Sequence, residues 1–266
     1  MDRETIRRCG DELYQAFVRR KPMRPLTERH PEVTIEDAYH IAQRVVQRRL
    51  EQGETVVGKK IGVTSAPVQD MLGVRQPDFG WLTSAMVYNT GDVIISDLLI
   101  QPRAEAELAF ILGAPLKGPN VTAEQVLEAT EAVTPCFEIV DSRIEDWSIQ
   151  IQDTVADNAS SGVFVLGRQR VDPRSLDLAK VPIVVQKNGE QISRGTGEEA
   201  LTGEPKLGSP VECVAWLANT LAQFDIGLEA GEIILSGSLV PLEPVKRGDV
   251  MRLEAEGLGS VVAKFM

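Results

Sequence analysis

The spacing of apolar residues changes along the chain, from helical in the first third to alternating in the last half. Apolar residues between Ile6 and Phe17 recur at helical intervals, which predicts an amphipathic N-terminal helix. Capping-box patterns predict two more helices, one that starts after Thr34 and ends at Gly53 and one that starts at Thr122. Ser209, followed by a proline and then by an acidic residue, predicts a fourth helix.

Short stretches that are rich in β-branched or alternating apolar residues predict strands. They include GKKIGVTS, QPRAEAELAFIL, PCFEIV and three segments at the C-terminus. Asn188-Gly189 lies between two alternating stretches and predicts a hairpin with a type I′ turn. The segment APVQDMLGVRQPDFGWL predicts a short helix followed by a loop, which places Asp78 in that loop. The segment SIQIQDTVADNASSGVFVLG predicts a mixture of loop and strand.

These elements predict an α+β protein in which a small helical N-terminal region packs on a larger, strand-rich domain. We place the boundary near residue 80, with an N-terminal α/β region over residues 1–80 and a β-rich domain over residues 81–266. The chain contains no low-complexity linker and no useful internal repeat, so the two parts are not expected to fold independently.

Composition and charge narrow the class of protein. The 266 residues are 43% hydrophobic and 25% charged, which is typical of a globular protein with a sizeable core. A formal net charge of −11 argues against nucleic acid or an anionic membrane as a partner. The three cysteines form no CxxC pair, the N-terminus lacks a signal-peptide pattern, and no apolar run is long enough to span a membrane. We therefore expect a soluble cytoplasmic protein.

Carboxylates inside an apolar strand are the first indication of a functional site. Glu105 and Glu107 lie two residues apart, so they project from the same face of a strand, about 7 Å apart along the chain. Glu138 lies in a second apolar stretch, PCFEIV. Buried carboxylates are costly unless a cation lies between them, and an all-carboxylate set suits Mg²⁺ or Mn²⁺. The alternative is a solvated sheet face, with Glu138 paired to an arginine such as Arg143.

Several motifs, in the same order, resemble the fumarylacetoacetate hydrolase superfamily over nearly the whole chain. They are GKKIGVTS, QPDFG, QPRAEAELAFIL, PCFEIVDSRIEDW and DTVADNASSGVFVLG. Within the superfamily, QPDFG and SRIEDWSIQIQDTVADNAS resemble the 2-oxopent-4-enoate hydratase branch of aromatic meta-cleavage degradation more than its sister, 4-oxalocrotonate decarboxylase. The stretch GTGEEALTGEPKLGSP departs from the family, because it is several residues longer than usual.

The resemblance implies a fold, an activity and a set of site residues. The fold is a mixed β-roll of the fumarylacetoacetate hydrolase C-terminal type. The activity is hydration of a small 2-hydroxydienoate substrate, with Mg²⁺ or Mn²⁺ as the cofactor. The implied site residues are the metal ligands Glu105, Glu107 and Glu138, the catalytic residues Lys60 and Asp78, and the substrate-binding residue Ser160. Ser238, in the SGS stretch that follows an apolar strand, is predicted from its position to line the substrate pocket, and a plain turn is the alternative.

Lys60 would supply the positive charge that an anionic substrate needs, while its neighbour Lys59 points to the other face of the strand. Asp78 would shuttle protons, although an aspartate after proline is also a common turn residue. Ser161 could take the place of Ser160 at the substrate. Asp157 and Asn158 are expected to hold their loop.

Other activities are weighed against the hydratase. The 4-oxalocrotonate decarboxylase reaction uses the same metal site. A C–C hydrolase of the superfamily would need a histidine–glutamate pair in a chain that has only two histidines. An inactive subunit that stabilises a partner decarboxylase is a further alternative. The resemblance also implies a homo-oligomer and a complex with 4-oxalocrotonate decarboxylase.

Overall fold

Eight α-helices occur in the computed structural model, which describes residues 1–266. The helices are α1 (Arg3–Arg19), α2 (Leu26–Arg29), α3 (Ile35–Leu50), α4 (Ala66–Leu72), α5 (Ala123–Ala129), α6 (Ile151–Ala156), α7 (Gly197–Ala200) and α8 (Pro210–Leu221). None of them combines the length and the apolar character needed to cross a membrane. The two longest, α1 and α3, pack against each other in the N-terminal region.

Thirteen strands form two sheets. The strands are β1 (Val56–Gly62), β2 (Asp78–Thr83), β3 (Val87–Asn89), β4 (Val93–Ile94), β5 (Pro102–Leu112), β6 (Thr130–Asp141), β7 (Ser161–Leu166), β8 (Ile183–Lys187), β9 (Glu190–Gly195), β10 (Ile233–Leu235), β11 (Glu243–Pro244), β12 (Val250–Ala255) and β13 (Gly259–Phe265). The larger sheet has the order β2-β1-β10-β5-β6-β7-β3, with β11 paired to β5. The smaller sheet has the order β4-β13-β12-β8-β9.

N-terminal helices and mixed sheets confirm the predicted α+β class. The large sheet continues across residue 80, because β2 spans that position and pairs with β1. The division of the chain at residue 80 stays a prediction.

The predicted caps and turn form where the sequence places them. Thr34 and Thr122 each close a capping box with the residue three positions on, and the side chain of Ser209 caps α8. Asn188-Gly189 joins β8 to β9, and both residues have the positive φ angles that a type I′ hairpin requires. Helix α3 ends three residues before Gly53, which lies in the turn that follows.

Two segments differ from their predicted structure. Residues Asp78–Thr83 form strand β2, so Asp78 begins a strand instead of lying in a loop. Every residue of β2 is buried, and a strand that is buried on both faces lacks the alternation by which strands are recognised. Residues Ile151–Ala156, predicted as loop and strand, form helix α6, which is too short to show a helical period.

The register of the large sheet places the five charged residues that the sequence singled out on one face. Glu105 of β5 lies directly opposite Glu138 of β6, and Glu107 projects from the same face two residues on. Pairing through β10 puts Lys60 of β1 on this face, and pairing of β2 with β1 adds Asp78. We call this surface, which carries these five predicted site residues, the site face.

The opposite face of the sheet packs against the main apolar core. Phe79, Phe110 and Phe137 project from it into a cluster of 54 buried apolar residues, to which α3, α8 and the smaller sheet also contribute. Lys59 points to this side and forms an ion pair with Glu232, with Nζ 2.6 Å from Oε1. The predicted opposite orientation of the two neighbouring lysines is therefore confirmed.

Candidate active site

A cavity of about 540 Å³ opens onto the site face. Its walls come from β1, β2 and β5, from α4, from residues 194–202 and from residues 238–242. The residues singled out from the sequence that line it are Lys60, Asp78, Glu105, Ser160 and Ser238. Glu107 and Glu138 lie deeper, with 0% and 1% of their surface exposed. The predicted site residues, which come from distant parts of the chain, therefore meet in one place.

The three glutamates form a compact cluster. One carboxylate oxygen from each of Glu105, Glu107 and Glu138 lies within 4.8 Å of the others. The alternative in which Glu138 pairs with Arg143 is wrong, because Arg143 Nε lies 2.5 Å from Asp157 Oδ1 in a buried ion pair. The alternative of a solvated sheet face is also wrong, because Glu107 and Glu138 are both buried.

Several oxygens of this cluster are buried without a hydrogen-bond donor. The N–H of Gly237 donates to Glu107 Oε2 at 2.8 Å, but Glu107 Oε1 and both oxygens of Glu138 accept no hydrogen bond. Lys60 Nζ forms an ion pair with Glu138 Oε1 at 3.3 Å. A buried unsatisfied acceptor costs roughly 1–3 kcal/mol, and more when it is charged. The orphaned oxygens fit a divalent cation, since Mg²⁺, Mn²⁺ and Ca²⁺ take oxygen ligands.

Burial raises the pKa of each glutamate. It raises the pKa of Glu105 to about 7, while the charge of Lys60 opposes the shift. The pKa of Glu107 is raised well above its ordinary value, by burial first and then by the charges of Glu138 and Glu105. Burial lowers the pKa of Lys60, but the surrounding carboxylates, Glu138 first, raise it overall. The lysine therefore stays charged, and the glutamates ionise together only with difficulty unless a cation is added.

The side chains of Asp78 and Lys60 both lie next to Gly62, in space that a larger residue at that position would fill. Asp78 pairs with Gly62 of β1 and is only 2% exposed. A Cβ atom at Gly62 would lie 2.4 Å from Asp78 Oδ1 and 3.2 Å from Lys60 Nζ, so a larger residue would displace both groups. Burial raises the pKa of Asp78, and the charge of Lys60 limits the increase. A carboxyl group whose pKa is shifted toward neutrality is suited to proton transfer.

The two predicted substrate-binding serines lie in the cavity wall. Ser160 lines the cavity, whereas the hydroxyl of its neighbour Ser161 donates to the carbonyl of Asn158 at 2.8 Å and lies outside the lining. Ser238 donates its hydroxyl proton to the carbonyl of Val240 at 2.7 Å. Of the two neighbouring serines, Ser160 is the one that reaches the cavity. Contact with a substrate stays a prediction for Ser160 and Ser238.

Asp157 and Asn158 hold the segment that presents Ser160, as expected. The Asn158 side chain accepts a hydrogen bond from the N–H of Trp81 and donates one to its carbonyl, both at 2.8 Å. Asp157 accepts hydrogen bonds from the backbone N–H and from the guanidinium of Arg143. These contacts fasten the loop to β2 and to the end of β6.

The cavity also contains residues that the sequence did not single out. Arg103 precedes Glu105 by two residues on β5, so it projects from the same face, and its Cζ lies 4.5 Å from the ring centroid of Trp147. The spacing that identified the glutamate pair would also have identified Arg103. The glycine-rich segment contributes Glu199 and Thr202 to the wall, and its greater length than in the family stays a prediction.

Comparisons with known proteins identify the family of this chain. Residues 49–266 match the family model described as fumarylacetoacetate (FAA) hydrolase C-terminal. The chain is 54% identical over 266 residues to 2-hydroxyhexa-2,4-dienoate hydratase from Comamonas testosteroni, covering 99% of this chain and 98% of the relative. It is 61% identical over 227 residues to 2-hydroxypent-2,4-dienoate hydratase from Pseudomonas putida, covering 85% of this chain and 100% of the relative.

A solved structure shows the same fold. It is 4-oxalocrotonate decarboxylase from Pseudomonas putida G7, complexed with magnesium and adipate, and it matches with a TM-score of 0.95 at 33% identity. The match covers 100% of this chain and 99% of that one. The resemblance and the fold expected from it are thus confirmed. The chain belongs to the fumarylacetoacetate hydrolase family, in the branch that contains these hydratases and this decarboxylase.

Proposed function

We propose that this protein hydrates 2-hydroxypenta-2,4-dienoate, the enol of 2-oxopent-4-enoate, to 4-hydroxy-2-oxopentanoate in the meta-cleavage degradation of aromatic compounds. The observation that carries the proposal is the cluster of three glutamates with orphaned buried oxygens, next to Lys60 and Asp78. Similarity to two dienoate hydratases over most of the chain supports the substrate class.

The proposed metal is Mg²⁺ or Mn²⁺, held by Glu105, Glu107 and Glu138. When bound, it would act as a Lewis acid on the C1 carboxylate and C2 oxygen of the substrate and orient them. Three carboxylates and one divalent cation sum to a charge of −1, and a substrate monoanion makes the sum −2. A further cation is needed nearby, and Lys60 is the one whose Nζ lies 3.3 Å from the cluster.

Lys60 and Asp78 divide the remaining chemistry in this proposal. Water adds at C4 only after the dienol becomes a conjugated enone, which requires loss of the proton at the C2 hydroxyl and gain of one at C5. Asp78 accepts the first proton and delivers it to C5, then takes a proton from the attacking water and returns it at C3. The Lys60 ammonium stabilises the negative charge that develops on the C2 oxygen during both steps.

Ser160 and Ser238 position the reactants in this proposal. Ser160 lines the cavity, and its hydroxyl lies 3.2 Å from Thr154 Oγ1 and donates to Asp157 Oδ2 over a long 3.5 Å; in this proposal it donates to the substrate carboxylate instead. Ser238 gives its own proton to Val240, so its oxygen is free to accept a hydrogen bond from the reacting water.

Assembly belongs to the same proposal. The family resemblance supports a homo-oligomer and a complex with 4-oxalocrotonate decarboxylase. Light scattering coupled to size-exclusion chromatography, on the protein alone and mixed with that enzyme, tests both.

The activity is tested by following the ultraviolet absorbance of 2-hydroxypenta-2,4-dienoate with purified protein and Mg²⁺ or Mn²⁺. We expect turnover that a chelator abolishes and added metal restores. A parallel assay with 4-oxalocrotonate measures release of CO₂. Turnover of 4-oxalocrotonate alone would favour the decarboxylase, and chelator-resistant hydration would contradict the metal site.

Glu107→Gln should abolish Mn²⁺ binding and activity while the protein stays folded. The substitution removes the charge of one metal ligand. Metal affinity should therefore fall by more than the roughly 10–100-fold that is typical when a residue hydrogen-bonded to a ligand is changed. It also relieves repulsion, so the free energy of unfolding of the metal-free protein should rise. Mn²⁺ titration, turnover and urea unfolding measure these effects. Glu131→Gln, at an exposed position of β6, is the control. Full turnover of Glu107→Gln with Mg²⁺ would contradict the assignment of Glu107 as a metal ligand.

Metal-free protein should lose stability as the pH rises from about 4.5 to 7. The folded pKa of Glu105 is about 7 against an ordinary value of 4.5, so the folded state keeps a proton that the unfolded state has lost. Mn²⁺ affinity should rise over the same range, because ligation displaces that proton. Urea unfolding and Mn²⁺ titration between pH 5 and 8 measure both trends. Glu105→Gln should flatten the stability profile, and an equally steep profile in that variant would show that other groups dominate.

Lys60→Met should lower kcat by about 10²–10³-fold, because the charge is needed chiefly as negative charge develops on the substrate. Metal affinity should fall much less. Lys59→Met is a matched control, since it removes the neighbouring charge from the opposite face and should affect stability alone. A near-normal kcat for Lys60→Met would remove Lys60 from the mechanism.

Asp78→Asn should retain Mn²⁺ binding and lose about 10²–10⁴-fold in turnover, the usual contribution of a general acid–base group. The comparison with Glu107→Gln separates proton transfer from metal ligation. If Asp78→Asn weakens Mn²⁺ as much as Glu107→Gln does, Asp78 is a ligand. If it changes neither quantity, another group moves the proton.

A further inference from the structure

Three consecutive residues before β7 have a left-handed backbone, although none of them is glycine. Asn158, Ala159 and Ser160 have φ angles of 55°, 50° and 53°. Residues other than glycine enter this region singly, because their Cβ crowds the following carbonyl oxygen, so three in a row form a strained turn. Such strain persists where the surrounding contacts over-determine it, and it concentrates at functional sites. Ala159 and Ser160 line the cavity, so the turn is part of the candidate active site.

Arg143 holds the backbone on both sides of this turn. Its Nη2 donates to the carbonyl of Asp157, the residue before the turn, and its Nη1 donates at 2.8 Å to the carbonyl of Ser161, the residue after it. Its Nε donates to Asp157 Oδ1 at 2.5 Å, and Nη1 also donates to the carbonyl of Asp141 at the end of β6. The guanidinium therefore fastens both ends of the turn to one strand. A lysine has a single nitrogen on its side chain and could not form all of these contacts.

Asp157 connects Arg143 to Ser160. The Asp157 carbonyl accepts the N–H of Ser160 at 3.0 Å, and Asp157 Oδ2 lies 3.5 Å from Ser160 Oγ. On the other side, Thr154 Oγ1 lies 3.2 Å from Ser160 Oγ and also belongs to the cavity wall. If Thr154 donates to Ser160, the hydroxyl proton of Ser160 is free for a ligand. The direction of this hydroxyl thus depends on contacts at both of its sides.

Arg143 and Asp157 do not reach the cavity themselves. They are 4% and 0% exposed, and neither lines the cavity, whereas Ser160 does. Any effect of this ion pair on a ligand must therefore pass through the turn. A buried ion pair adds little net stability, because the cost of desolvation offsets the attraction between the charges. Stability alone is therefore a weak explanation for a pair whose hydrogen bonds hold both ends of a strained turn.

We propose that Arg143 and Asp157 are positioning residues, which set the direction in which the Ser160 hydroxyl meets the substrate carboxylate. The inference rests on the proposed function in one respect, since it takes Ser160 to bind that carboxylate. Without the hydrogen bonds of Arg143 to the carbonyls at its two ends, the turn relaxes toward negative φ angles. The hydroxyl then no longer points at the carboxylate.

A double-mutant cycle between Arg143→Lys and Ser160→Ala tests this inference, because it isolates the part of the Arg143 effect that passes through Ser160. The probe is 2-oxopentanoate, which has the chelating end of the substrate and no double bond to hydrate. Calorimetric titration of the Mn²⁺-loaded protein gives its dissociation constant. Ser160→Ala should weaken binding about tenfold, as loss of one charge-assisted hydrogen bond allows. Arg143→Lys should weaken it about three- to tenfold when Ser160 is present and about twofold or less when it is absent.

Kinetics with 2-hydroxypenta-2,4-dienoate provide a second readout. Ser160 binds the carboxylate equally in the ground state and the transition state, so Arg143→Lys should raise KM and change kcat by about twofold or less. Its Mn²⁺ affinity should be unchanged, since Arg143 pairs with Asp157 and not with the glutamates. Arg49→Lys is the matched control. Arg49 is also buried in an ion pair, with Glu54, and its substitution should lower the free energy of unfolding without changing KM.

Asp157→Asn gives the cycle a second variant, with the same expectation, in case urea unfolding shows that Arg143→Lys is not folded. It retains the shape of the side chain and the backbone carbonyl to which Arg143 donates. Failure of both variants to fold would assign the pair to stability and overturn the inference.

The other contrary outcomes are distinct. Equal losses of affinity with and without Ser160, or a loss of kcat or Mn²⁺ affinity with KM unchanged, would overturn the positioning role. The same rise in KM in Arg49→Lys would show a general effect of destabilisation and would also overturn it. Unchanged binding in Ser160→Ala would remove Ser160 from the proposed function and this inference with it. Failure of the coupling alone leaves the proposed function standing.

Discussion

Three carboxylates clustered on one face of a sheet, two of them fully buried, are the constraint on which this protein depends. Cross-strand pairing places Glu105 opposite Glu138, and the two-residue period of the strand adds Glu107. Like charges at this separation repel strongly where water is excluded, so the arrangement needs nearby positive charge. Lys60 supplies one charge, and the orphaned oxygens call for another. Folding free energy from the large apolar core on the other face holds the repelling groups together.

One face of the sheet packs on the core and the other carries the site, so two neighbouring residues of one strand can have different roles. Lys59 turns toward the core side and is neutralised by Glu232, while Lys60 turns toward the cavity and faces several carboxylates. Gly62 leaves space for Asp78 beside Lys60. A shift of one residue in the register of β1 would exchange the two lysines and place the wrong one at the site. The hydrogen-bonded pairing of β1 with β2 and β10 is therefore a functional requirement as well as a structural one.

A site residue can be predicted from the sequence when the pattern that identifies it involves only neighbouring residues. The glutamate pair could be found because period two is a property of a single strand, and caps such as Thr34 depend on a few neighbouring residues. The strand that begins at Asp78 could not be found, because it is buried on both faces and has no alternation. Arg103 has the spacing of the glutamates, but its contact with Trp147 could not be predicted. That contact depends on the turn after β6, in which Asp146 and Trp147 have left-handed backbone conformations. Lys60 can be predicted from the family resemblance alone, because its ion pair with Glu138 depends on the tertiary structure.

The part of the cavity wall that comes from α4 and the glycine-rich segment is built in a different way from the sheet. Helix α4 is tied to the glycine-rich segment through the buried side chain of Gln69, whose amide donates to the carbonyls of Val63 and Glu204 and accepts from the N–H of Glu204. The N–H of Ala66 adds a hydrogen bond to Thr202 Oγ1 at 3.3 Å. This wall is held by a few side-chain contacts, whereas the glutamates are fixed by continuous strand pairing. Changes in loop length are tolerated far better in such a segment than in a paired strand. The glutamate cluster therefore depends on the paired strands, and the parts of the wall that come from α4 and residues 194–202 can change in length or sequence without disturbing it.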